Sequence, residues 1–214
     1  IKYLCGAGYY SESLEYYNKI KPEIAFNPSM QNEVVKSYME LNKPDSARIY
    51  LAARLLSERG DKIVLNCMMA ETYIPEGQED SAFVFLDRAM KSYKEKAKNY
   101  QKQGREAILP NCFLSPCYLF ADLLWKKGKI QQASQYYMIV EPLMKERVKT
   151  PVRMELQIKA LTNFSSFCRE TKQYEKALDL LARRDSVLQT YLEFKAKNDK
   201  KNYAERLKIQ ELKH

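Results

Sequence analysis

Few residues in this 214-residue chain are of types that do chemistry, and their spacing narrows what that chemistry could be. The one histidine, His214, is the last residue, so the commonest general base and metal ligand is missing from the body of the chain. "CFLSPC" places Cys112 and Cys117 at a spacing that half of a zinc site could use, but neither a second cysteine pair nor a histidine lies near in sequence. The other cysteines, Cys5, Cys67 and Cys168, sit in apolar stretches. An odd number in such settings reads as buried free thiols and hints at a reducing compartment; a labile disulfide between Cys112 and Cys117 is the alternative. Glycine-rich phosphate loops, serine nucleophile elbows and paired carboxylates in apolar surroundings are missing as motifs. The expectation is a non-enzymatic chain with no cofactor and no metal.

Charge is the next feature that could serve a function. The net charge of +9 is concentrated in two segments. Residues 88–105 contribute +6 and residues 187–214 contribute +3. In the first, Lys91, Lys94, Lys98, Lys102 and Arg105 recur at helical spacing, with Tyr93, Ala97, Tyr100 and Gly104 on the opposite face. Such a stripe could track phosphates, but with no nucleic-acid-binding motif beside it the reading with more weight is the water side of a helix.

The elements that must carry these residues are helices. Glycine is sparse, Lys, Glu, Leu, Ala and Gln are abundant, and no run approaches the roughly 18 apolar residues of a membrane span. One pattern recurs five times: a small residue followed four positions later by a large apolar one, at Ser13 and Tyr17, Ala47 and Leu51, Ala82 and Leu86, Ala133 and Tyr137, Ala177 and Leu181. Before each comes another helical stretch ending in a short polar turn, as in "NEVVKSYMELNK" and "CYLFADLLWKKGK". The small residues are separated by 34, 35, 51 and 44 positions. A small residue lets two antiparallel helices approach closely, and the large one fills the space against the next hairpin.

A period near 34 with this helix, turn, helix pattern resembles the tetratricopeptide repeat (TPR) family. "LNCMMAETYIPEGQEDSAFVFLDRAM" carries the landmarks most fully, in Met69, Ala70, Tyr73, Ala82, Leu86 and Ala89, and "FADLLWKKGKIQQASQYY" adds the turn at Gly128. The resemblance implies an all-α fold, an α-α superhelix of about five hairpins, the first truncated to "IKYLCGAG". Residues 1–185 are expected to form the repeat domain and 186–214 a long capping or exit helix. The excess in the 51-residue interval predicts a second helix that runs on through "KSYKEKAKNYQKQG" until Gly104 and Pro110 end it. The excess in the 44-residue interval lies in "VEPLMKERVKTP", bounded by Pro142 and Pro151.

In such arrays the first helix of each hairpin lines the concave face, where peptides lie. Carried over helix by helix, this implies partner-binding candidates at Asn32, Lys36 and Met39; Glu71, flanked by Cys67 and Ile74; Tyr118, Asp122 and Trp125; and Ser166 and Arg169, with Thr162 on the same face. Trp125 has hairpin-end core packing as its alternative role. The expected partner is a protein or peptide, with self-association through the C-terminal helix as a further option. Nucleic acid carries less weight, and a membrane would be met only through a segment outside this chain.

The polar last helix is similar to the exit helix of bacterial membrane-bound regulators and sensor kinases that hold such hairpins outside the membrane. That implies ligand sensing on the extracytoplasmic side. A free cytoplasmic adaptor and an RNA-binding repeat using residues 88–105 are the alternatives. The start at Ile1 and the stop at "IQELKH" read as the boundaries of a longer protein.

Overall fold

Five of the described residues take a left-handed backbone conformation at hairpin turns: Gly8 (φ 86), Asn42 (φ 55), Gly77 (φ 69), Gly128 (φ 74) and Lys172 (φ 62). In each case the next amide donates back to a carbonyl five residues earlier. The bonds run from Tyr9 to Leu4 (2.9 Å), Lys43 to Tyr38 (2.9 Å), Gln78 to Tyr73 (3.2 Å), Lys129 to Leu124 (2.9 Å) and Gln173 to Cys168 (2.8 Å). This ring satisfies carbonyls that the end of a helix would otherwise leave open. Glycine pays no Cβ penalty in that conformation and asparagine tolerates it; Lys172 is the departure.

The structure, a computed structural model, describes residues 1–24, 28–56, 61–105, 107–145 and 150–211. His214 and part of the stretch between Pro142 and Pro151 lie outside the described residues. The described residues form ten α-helices and no strand: α1 (Lys2–Gly6), α2 (Tyr10–Ile24), α3 (Pro28–Glu40), α4 (Pro44–Leu56), α5 (Lys62–Tyr73), α6 (Glu79–Lys102), α7 (Leu114–Lys126), α8 (Ile130–Lys145), α9 (Pro151–Glu170) and α10 (Tyr174–Glu211). Short 3-10 turns, Ile74–Glu76 and Asn111–Phe113, follow α5 and precede α7. None of the described helices is long and apolar enough to cross a membrane.

Prolines open α4 and α9, where the missing amide hydrogen costs nothing. Asp61 caps α5, its carboxylate accepting from the Ile63 amide at 2.9 Å. Helix α6 is 24 residues long and stops at Gly104, φ 68. Pro142 does not end its helix: α8 runs through it to Lys145, because a proline in the last turn removes a single ladder bond.

The chain divides into two compact units, Ile1–Lys129 and Ile130–His214. In the first, α2, α3 and α4 enclose Leu14, Tyr17 and Val34, with Tyr38 and Tyr50 packed against them. A second cluster, Val35, Ala47, Leu51, Leu65, Met68 and Met69, joins α3, α4 and α5. In the second unit α9 lies between α8 and α10, and Tyr137 stacks on Phe164 with ring centroids 4.6 Å apart. Lys176 of α10 binds Glu141 of α8 at 2.9 Å and stands 4.8 Å from the centre of the Phe164 ring.

The recurrent small residues are all buried. Ala47, Ala82 and Ala133 are fully buried, Ser13 is 1% exposed and Ala177 6%. Each follows its left-handed turn residue by five positions, so both series share one set of intervals. Their large partners Tyr17, Leu51, Leu86 and Tyr137 are buried as expected; in the last copy Leu180 is buried and Leu181 only half-buried.

Two outcomes follow for stability. Ser13 Oγ is buried without a partner, so Ser13→Ala should raise urea-unfolding stability by about 1 kcal/mol, whereas Ala82→Leu should lower it by about 1–3 kcal/mol through overpacking. Lys172→Gly should stabilise by about 0.5–1 kcal/mol by removing the left-handed penalty, and Gly128→Ala should cost a similar amount even though the space around it is open.

Candidate functional site

Helices α5 and α7, the first helices of successive hairpins, pack directly on one another in the first unit. Two polar pairs connect them in register. Cys67 stands beside Cys112 in the turn that leads into α7, and one helical turn further along the Ser115 hydroxyl stands beside the Glu71 carboxyl. Positions 67 and 71 of one segment thus face 112 and 115 of the other, as two parallel elements require. Beyond Ser115 the same face of α7 carries Tyr118 and Asp122.

Burial makes these groups unusual. Desolvation raises the Glu71 carboxyl to about 7, opposed in part by the Ser115 hydrogen bond. Tyr118 is 5% exposed, and burial, then the nearby Glu71 and Asp122, push its hydroxyl up to about 12. Asp122 is half-buried and pairs with Lys126 at 2.8 Å. Trp125 is half-buried at the end of the helix. These residues form a strip along α5 and α7 in which Tyr118 is buried and Glu71, Asp122 and Trp125 are half-buried.

Clips from both sides hold the strip. Arg48 of α4 donates to the Thr72 carbonyl at 2.8 Å and to Thr72 Oγ1 at 3.3 Å, pairs with Glu76, and lies over the Tyr73 ring at 4.2 Å. Its guanidinium therefore reads the end of α5 through both charge and the aromatic face. From the other side, Lys127 donates to the Gly77 carbonyl at 3.2 Å and pairs with Glu79 at 3.1 Å, and Lys129 also pairs with Glu79.

The remaining sequence candidates are distributed differently. Cys67 and Ile74 are buried, not open beside Glu71, and Ile74 belongs to the 3-10 turn rather than to α5. On α3, Asn32 and Lys36 are exposed, with the Lys36 ammonium 6.0 Å from the centre of the Tyr10 ring, while Met39 packs against the core joining α3, α4 and α5. Ser166, half-buried, and Arg169, exposed, stand on α9 in the second unit. On the same helix the Thr162 hydroxyl is bonded to the Ile158 carbonyl at 2.8 Å. The four lysines of the basic stripe on α6 and Arg105 just beyond it are all exposed, and Lys91 pairs with Asp87 at 2.7 Å. Sequence reasoning passed over Ser115 and Arg48. Ser115 was detectable, since 115, 118 and 122 fall on one helical face.

Recurring helix turns, each closed by a left-handed residue with a buried small residue five positions later, make a TPR-like helical-repeat fold. Residues 114–138, which include Tyr118, Asp122 and Trp125, match the tetratricopeptide repeat family model. A solved structure from Podosopora anserina, described as a kinesin light chain with nearly identical TPR-like repeats, has the same fold. It is 14% identical, the match covers 90% of this chain and 92% of that one, and the TM-score is 0.54. A comparison with curated proteins finds no match. TPR-type repeats are in general protein-interaction scaffolds rather than catalysts.

The raised Glu71 carboxyl has a thermodynamic consequence. Its folded pKa lies above the unfolded value, so the native state holds the proton longer and stability falls as pH rises from about 4.5 to about 7. Comparing urea midpoints at pH 5 and pH 8, Glu71→Gln should lose this component of the pH dependence and gain stability relative to the parent at pH 8.

Proposed function

We propose that the chain binds a segment of another protein along the strip between α5 and α7, with Glu71 and Asp122 facing its polar groups and Trp125 packing against it. The observation that supports this most is the strip itself: two carboxyls and an indole kept half-buried in register by clips from α4 and from the end of α7. Held in place beforehand, they lose little conformational entropy when a partner arrives. Tyr118 serves as the wall behind them. Met39 on α3, and Asn32 and Lys36 beside it, are proposed as further contacts, and Ser166 and Arg169 as the contacts of the second unit.

The finer reading is that this binding is a sensing step in a bacterial membrane-anchored regulator. It rests on the resemblance of the polar last helix to such exit helices, and it requires an apolar span of about 20 residues downstream in the parent gene. A free adaptor would have no such span. An RNA-binding repeat would instead use the exposed lysines of α6, and its affinity would fall steeply with salt.

The chain has one tryptophan, so its emission reports on the strip directly. Peptides selected from a displayed library on the intact chain should shift Trp125 emission on binding, and Asp122→Ala should weaken them about tenfold. Selected peptides that bind with unchanged emission and are indifferent to Asp122→Ala would refute the proposed site.

A further inference from the structure

Four side chains from three helices of the first unit meet in a run near the end of α5. The Arg48 guanidinium of α4 lies over the Tyr73 ring, 4.2 Å from its centre. Tyr73 is stacked in turn on Phe85 of α6, with centroids 5.6 Å apart and planes 8° from parallel. Arg88, further along α6, holds its guanidinium 5.2 Å from the centre of the Phe85 ring. The two arginines that end this run differ in one respect. Arg48 is neutralised within the chain, by Asp45 at 2.8 Å and by Glu76. Arg88 is exposed, and no described residue gives it a carboxylate or a hydrogen-bond acceptor. Its planar head is held against a ring while its N–H donors stay unused.

Arg88 belongs to a face that continues along α6. Val84, Arg88, Lys91, Lys98 and Lys102 follow one another at helical spacing, with Phe83 and Lys94 beside them, and all seven are exposed. From Val84 to Lys102 this face is about 27 Å long. Lys91 pairs with Asp87 at 2.7 Å, whereas Lys94, Lys98 and Lys102 have no acidic partner among the described residues; Glu95 is the one acid between 88 and 105. The other side of the helix is taken up by packing. Ala82, Leu86 and Ala89 are buried, and Tyr93 meets the Phe113 ring at 5.9 Å and donates to the Ala107 carbonyl at 3.3 Å. The excess charge of residues 88–105, +6, is thus offered mainly on the outer side, next to an apolar end at Phe83 and Val84, 49% and 43% exposed.

We propose that this outer face of α6 is a docking surface for an acidic amphipathic segment of a partner protein, with Arg88 as its anchor. A carboxylate of the segment takes the Arg88 fork, further carboxylates face Lys94, Lys98 and Lys102, and apolar side chains of the segment cover Phe83 and Val84. The charge selects an anion, and the apolar end selects a polypeptide. The two tyrosines among the lysines, Tyr93 and Tyr100, are half-buried, so the stripe has no exposed ring on which the bases of a nucleic acid could stack. This surface is separate from the strip along α5 and α7, and it stands whichever partner the strip takes.

The test uses the intact chain and a short fluorescein-labelled peptide of Glu, Leu and Tyr, read by fluorescence anisotropy. Beside it run the same peptide with Gln in place of Glu and an oligouridylate of equal length. The Glu peptide should bind, the Gln peptide should bind at least about tenfold more weakly, and the affinity should fall as salt rises. Arg88→Ala should weaken the Glu peptide about tenfold, and Arg88→Lys, which keeps the charge but loses the fork, nearly as much. Lys94→Gln combined with Lys98→Gln should cost about fivefold, and Phe83→Ser about threefold. All these side chains are exposed, so the variants should keep the helical circular dichroism of the parent. Unlabelled Glu peptide should leave Trp125 emission unchanged, since the strip is not its site. No binding of the Glu peptide, indifference to Arg88→Ala or to Phe83→Ser, tighter binding of the oligouridylate through the same lysines, or a shift in Trp125 emission would each overturn the proposal.

Discussion

A reversal of chain direction within a few residues, closed by one left-handed residue, is the constraint on which the rest of this structure depends. The amide after that residue returns to a carbonyl five positions back, which ends one helix and fixes where the next begins. Five positions on stands a buried small residue, and one turn later comes a Tyr or Leu that is buried in every copy but the last. Neither device works without the other. A turn without the small residue would splay the hairpin, and a small residue without the turn would have no helix opposite it.

This explains why the fold was legible in the sequence. Both the turn residue and the small residue are chosen by local sterics, so their types survive at fixed spacing even where loops and second helices vary in length. The 51-residue interval still placed its landmarks correctly, because the additional residues prolong α6 beyond the packed region. What was misread depended on degree. Pro142 was expected to mark a boundary, but in the last turn of a helix it costs too little to do so. Ile74 continues the apolar pattern of α5 yet leaves the helix, because Pro75 and Gly77 impose a 3-10 turn and a left-handed cap.

The site was legible only in part, for a reason of distance along the chain. Glu71, Tyr118, Asp122 and Trp125 follow from helical faces, but their register against one another is set across more than forty residues, through a 24-residue helix. Only the folded chain puts Cys67 opposite Cys112 and Glu71 opposite Ser115. The sequence drew attention to Cys112 with Cys117 because they are close in the chain, whereas the fold also sets Cys112 beside Cys67 on another element. Arg48 likewise looks like one more surface charge until α4 brings it to the end of α5.

The strip depends on α5 and α7 meeting in that register, with Glu71 desolvated between them. Its most direct test is a carboxyl 13C NMR titration of the glutamate-labelled chain, with Glu71 assigned by the resonance missing from the Glu71→Gln variant. A Glu71 midpoint near 7 is the predicted result. A midpoint near the ordinary glutamate value, about 4.3, would mean that the carboxyl is open to water and that the two helices do not enclose the strip described.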